Sequence, residues 1–166
     1  VTMMFLGLLI GVSMTSVCMA STQTPTLTSC SSAQQVQLSD VTITDAELGK
    51  TMTLDFTLSI ASALDNSPKL KVTATTSNGP IDCIANIGSC NYELCGGTSD
   101  VEKALGSLWN NTCPIAPNTY KPSLSAKLPK GIGFLLGDGT LTFKLDVQNG
   151  GKSVGCQQFK VNVKLN

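Results

Sequence analysis

The amino-acid sequence predicts an all-β sandwich, and three observations carry that prediction. Apolar and polar residues alternate without a break from Thr51 to Ile60, the period of a strand with one buried face. Similar alternations recur along the chain between turn signals rich in Gly and Asn. A single stretch has helical spacing, so no crossover helices separate the strands.

Taken in order, residues 3–20 read MMFLGLLIGVSMTSVCMA, an apolar run followed by small residues. Cys18 and Ala20 stand at −3 and −1 of a cut before Ser21, which predicts a secretory signal over 1–20, although no basic residue precedes it. Its apolar core, Phe5 to Val12, is too short to span a membrane, and no later segment approaches the ~20 apolar residues a spanning helix needs. Residues 21–29 (STQTPTLTS) are polar and predict a flexible segment. The folded domain is then 30–166.

Val36, Leu38, Val41 and Ile43 predict an early strand whose alternation slips near Ser39-Asp40, as at a bulge. Met52, Leu54, Phe56, Leu58 and Ile60 form the buried face of the next strand. Leu70, Val72 and Ala74 form another, stopped at Asn78-Gly79-Pro80. Residues 98–109 predict a short helix. Ser99 and Glu102 make a capping box, and Val101, Leu105, Leu108 and Trp109 fall on one face. Leu124, Ala126 and Leu128 suggest one more strand. Leu141, Phe143, Leu145 and Val147 pair with Val161, Val163 and Leu165 across Asn149-Gly150-Gly151, a hairpin over 141–147 and 154–165.

The composition removes several function classes. The 166 residues include 11 Lys, no Arg, 11 acidic residues and no His, and the formal net charge is zero. Nucleic-acid binding needs a basic surface. Nucleophilic triads of the usual kind need His. Bidentate phosphate or carboxylate clamps need Arg. The signal cut removes Cys18 and leaves six cysteines, Cys30, Cys83, Cys90, Cys95, Cys113 and Cys156. In a secreted domain these read as three disulfides, with the connectivity open among 15 pairings. Cys90 and Cys95 are close, but the second close pair of a zinc site is absent, so no metal is expected.

Motifs that look catalytic fail on context. Gly151-Lys-Ser153-Val-Gly155 matches a nucleophile elbow in letters, but a turn leads it into a strand and no His exists. The same Gly-Lys-Ser lacks the first glycine and the helix of a phosphate loop. Glu93, Asp100 and Glu102 offer carboxylate pairs no more specific than any other acids of the chain. No catalytic residue and no cofactor is assigned. Asn110-Asn111-Thr112 is a glycosylation sequon.

The cysteine frame resembles that of the ML (MD-2-related lipid-recognition) domain family, and within it the ganglioside GM2 activator-like proteins. The matching residues are Cys83-Ile-Ala-Asn-Ile-Gly-Ser-Cys90, Asn-Tyr92-Glu93-Leu-Cys95, Cys113-Pro114, Tyr120, Leu128-Pro129 and Lys152-Ser-Val-Gly155-Cys156. The activator's fourth disulfide has no counterpart here. The resemblance implies pairing of Cys30 with Cys156, Cys83 with Cys90 and Cys95 with Cys113. It also implies an immunoglobulin-like antiparallel cup holding lipid between its sheets. On that basis Leu54, Phe56, Leu58 and Ile60 (with Met52 beside them), Val101, Leu105, Leu108 and Trp109 are the candidate lipid-binding walls. Ile132, Phe134, Leu135 and Leu136 join them, as a continuous apolar run in a Gly-rich loop, with Phe134 the candidate for exposure at the mouth. The function implied is a secreted, non-enzymatic lipid-binding or transfer protein. The alternatives are an activator presenting glycolipids to a lysosomal hydrolase and a host-interaction module recognising microbial lipids. The expected partners are a lipid or glycolipid, a transient membrane contact, and a hydrolase or receptor, met by a monomer outside the cell or in the lysosome.

Overall fold

The structure, a computed structural model, describes residues 20–165. The expected signal segment, Cys18 included, lies outside the described residues apart from Ala20.

Two antiparallel sheets face one another. One runs β1 (Thr22–Gln23), β3 (Val36–Thr44), β4 (Thr51–Ile60) and β8 (Asn118–Tyr120), with β9 (Ser123–Lys127) sharing the free edge of β4. The other runs β2 (Thr28–Ser29), β11 (Lys152–Asn162), β10 (Thr140–Asn149), β5 (Lys69–Thr76) and β6 (Gly79–Ile81), with β7 (Asn91–Glu93) also on β5. The period-two pattern decides which side chains meet. Met52, Leu54, Phe56, Leu58 and Ile60 of β4 are all buried. Opposite them lie Leu70, Val72 and Ala74 of β5 and Leu141, Phe143, Leu145 and Val147 of β10.

The slip read near Ser39-Asp40 is a register shift between Ser39 and Thr42, with Asp40 at φ +51°. β10 and β11 form the expected hairpin, with Asn149 opposite Lys152 across a Gly150-Gly151 turn. The last strand is shorter than its alternation suggests. β11 ends at Asn162, opposite the first residue of β10, Thr140. Beyond it the partner strand has run out, and Leu165 is exposed.

The 21–29 segment also differs from its reading as a flexible arm. Thr22 and Gln23 pair with Thr44 and Ile43, and Thr28 and Ser29 pair with Gln158 and Gln157. Strand pairing uses backbone groups, so a polar composition does not forbid it.

The sheets meet closely along one edge. Gly155 of β11 lies against Val36 of β3, where an added Cβ would stand 1.9 Å from the Val36 carbonyl oxygen. Cys30 and Cys156 are disulfide-bonded there with Cα atoms 5.1 Å apart. Cys83 pairs with Cys90 and Cys95 with Cys113, the connectivity the resemblance implies. The far edge has no such backbone contact, and there the Cys95–Cys113 bond links the end of β7 to the segment that leads into β8. Into this edge fit helix α1 (Asp100–Ser107), the Cys83–Cys90 loop and a 3-10 helix (Lys130–Leu135).

Candidate ligand cavity

At that far edge are two small chambers, an inner one between the sheets and an outer one between β6, the Cys83–Cys90 loop and the 3-10 helix. The inner one, about 50 Å³, is lined by Met52 and Leu54 of β4, Leu124 and Ala126 of β9, Val72, Tyr92 and Phe143 of the opposite sheet, and Val101 of α1. The outer one, about 30 Å³, is lined by Ile81, Ile84, Ile87, Pro129, Ile132, Leu135 and Leu136 among others. No charged side chain lines either, and the polar ones are Asn86, Ser125 and Tyr92 of the inner chamber. Both volumes fall well below the ~300–1,000 Å³ of a typical small-molecule site, so the apolar walls stand nearly in contact. Roomier grooves exist elsewhere. One, about 430 Å³ beside Gln34, Gln37, Ser59, Ile60, Asn118 and Thr119, has walls of mixed polarity and opens to solvent.

α1 forms as its sequence predicts. The Ser99 hydroxyl accepts from the Glu102 backbone N–H at 3.3 Å. The Glu102 carboxylate in turn accepts from the Ser99 and Thr98 N–H groups and the Ser99 hydroxyl, and from Glu93 N–H of β7 at 2.8 Å. Those donors hold the Glu102 carboxyl down at about 2, below its ordinary 4.5. The same bonds tie α1 to the strand that carries Tyr92, so one carboxylate positions two walls of the inner chamber. The Tyr92 hydroxyl is pushed up from its ordinary value by burial and by the Glu102 charge.

The predicted wall residues divide. Met52, Leu54 and Val101 line the inner chamber, and Ile132, Leu135 and Leu136 the outer one. Phe56, Leu58, Ile60, Leu105, Leu108 and Trp109 line neither. Phe56, Leu58 and Ile60 lie further along β4, where β8 covers its edge and the space is packed. Trp109 is a core anchor: its indole N–H donates to the Leu94 carbonyl at 3.0 Å, and its ring meets Tyr120 edge-on at 5.5 Å. Phe134 is 77% exposed and does not line the outer chamber. Sequence reasoning missed Tyr92, Ile84 and Ile87 as walls, although all three sit in the cysteine-framed run that carried the resemblance. It placed Val72, Phe143, Leu124 and Ala126 inward without assigning them to a site.

The polar clusters have structural partners. Ser153 of the elbow-like string donates to Asp146 at 2.6 Å, and Gln148 donates to the same carboxylate. Glu93 is ion-paired with Lys69 at 2.7 Å. Among the described residues, no group of three or more His, Cys, Asp or Glu side chains is placed to hold a metal.

The two-sheet architecture is shared with a Niemann-Pick type C2 protein from Japanese carpenter ant, at a TM-score of 0.55 and 10% identity, over 84% of this chain and 99% of that one. No family model and no curated protein matches the chain. At this identity the likeness is one of fold, and it supports the ML-type architecture without singling out the GM2 activator-like branch.

Proposed function

We propose that the protein is a secreted, non-enzymatic lipid carrier that takes an acyl chain or sterol between its sheets and passes it to a membrane, receptor or enzyme. One observation carries the reading. Two chambers that share Ile87 and have no charged walls lie at the edge where the sheets lack backbone contact, one of them between the sheets. Uptake is driven by apolar burial, about 0.8 kcal/mol per CH₂ before ordering costs. A whole chain needs more room than the walls leave, so uptake parts the far edge, where side-chain contacts join the sheets. The fold shared with a Niemann-Pick type C2 protein, of the ML-domain lipid-binding family, supports the same reading.

Phe134 and Ile84, 77% and 51% exposed, belong to the segments that line the outer chamber. They suit a transient membrane contact, with Lys121, Lys127 and Lys130 near enough in sequence to meet anionic head groups. Three disulfides fit an oxidising compartment, the cell exterior or the lysosome. Asn110, exposed just beyond α1, is the proposed glycan site.

Organic extraction of protein from a secreting host, followed by mass spectrometry, tests the carrier reading, together with titration by a fluorescent fatty acid. Co-purified lipid and saturable binding are expected. Absence of both overturns it. A second reading, presentation of glycolipid to a lysosomal hydrolase, rests on the Cys83–Cys95 run. It expects stimulation of a hexosaminidase on membrane-bound glycolipid and falls if lipid binds without stimulation.

A further inference from the structure

We propose that Ile87 is a partition that sets the length of chain the cavity accepts. This rests on the lipid-carrier reading and deepens it. Ile87 lines both chambers, and it is the only residue shared between their two sets of lining residues. It is buried, 7% exposed. A linear apolar ligand that occupies both chambers must displace this side chain. One that stops at Ile87 fills a single chamber.

The loop that carries it is built with a fixed base and a movable tip. At the base, Cys83 is bonded to Cys90, and Ser89 N–H donates to the Ile81 carbonyl at 2.8 Å. The Ser89 hydroxyl accepts from Ala74 N–H of β5 at 3.1 Å. Gly88, at φ +98°, lies so close to Asp82 that a Cβ would stand 2.2 Å from its carbonyl oxygen, so no other residue fits there. The tip is the turn Ile84-Ala85-Asn86-Ile87. The backbone hydrogen bonds of Ile84 and Ile87 there run only to each other, at 2.8 and 2.9 Å. Ala85 and Asn86 both adopt left-handed backbone, φ +49° and +66°, without a glycine. Left-handed backbone at a non-glycine residue such as Ala85 carries strain. Three of the turn's four residues face the outer chamber, and Asn86 and Ile87 face the inner one. Swinging the tip would therefore join the chambers and leave the sheet pairing intact.

The test is competition of octanoate, dodecanoate and hexadecanoate against a fluorescent fatty acid bound to the full chain. Ile87→Ala removes the partition, and Ile87→Phe thickens it. The alanine variant is expected to bind hexadecanoate about tenfold tighter, the effect of burying roughly two more CH₂ groups, with octanoate affinity held within about twofold. The phenylalanine variant is expected to lose hexadecanoate selectively. Ile87→Val, a smaller change in packing, is expected to move the profile in the alanine direction and serves if alanine disturbs the fold. Ile84→Ala, which touches the outer chamber alone, is expected to weaken all three ligands alike. If the unsubstituted protein binds fatty acids and every Ile87 variant keeps its chain-length profile, the partition is overturned and the carrier reading stands. If the unsubstituted protein binds none, both fall.

Discussion

The two long edges of the sandwich are closed by different forces. Along one, backbone meets backbone: Gly155 lies on Val36, and the Cys30–Cys156 bond clamps the same place. Along the other, Val101, Ile87 and the 3-10 helix residues fill the gap with side chains. Backbone contact and a covalent bond fix a spacing. Apolar side-chain contacts can slide and repack, with the Thr76–Leu135 hydrogen bond and the Cys95–Cys113 bond as local ties, so the second edge is where the spacing can change.

Perturbing each edge in turn breaks or sharpens this contrast. The largest effect is expected from Cys30→Ser with Cys156→Ser. The bond spans 126 residues of sequence separation, and opening it should cost about 4–5 kcal/mol on the chain-entropy account. Denaturant unfolding followed through Trp109 measures this. Cys83→Ser with Cys90→Ser opens a separation of only 7 residues and should cost about 2–3 kcal/mol. Equal losses from the two pairs would erase the distinction between a structural seam and a local brace. Gly155→Ala places a Cβ 1.9 Å from a backbone oxygen, and a loss of about 3 kcal/mol is expected, of the size seen for overpacking. A neutral substitution would show that the seam is not tight.

A smaller effect comes from Glu102, which braces the far edge. Its folded carboxyl titrates at about 2 against an ordinary 4.5. A lowered folded value stabilises the native state above the unfolded value, and that contribution fades as pH falls from about 4.5 to about 2. Glu102→Gln is therefore expected to be less stable than the natural chain at neutral pH, with the gap closing in that acid window. A gap that is constant with pH would assign the loss to hydrogen bonding alone. The smallest effect on stability is expected from Phe134→Ser, within about 0.5 kcal/mol, because the side chain is exposed. Its binding to anionic vesicles in a flotation assay should fall all the same. Unchanged flotation would overturn the proposed membrane contact through Phe134.

How much could be read in advance differs by element. β3, β4, β5, β10 and β11 each carry their own period-two pattern, and the Ser39-Asp40 slip and the Gly150-Gly151 turn were visible in it. The capping box announced α1. β6, β7 and β8 are three residues each and β1 and β2 two. Those strands exist because a longer neighbour offers them an edge, which no local pattern records. The site was half legible for a related reason. Leu54 and Leu58 are four residues apart on one buried face, and both are apolar, yet only Leu54 borders a chamber.

By itself, the sequence determined the all-β class, the strand faces, the helix cap and the absence of histidine and arginine. Each follows from residue spacing or residue type, which the chain carries locally. The tertiary structure alone decided where the two sheets stand apart, which apolar side chains border that space, and that Ile87 borders both chambers. Those depend on the distance between sheets, set by contacts among residues far apart in sequence.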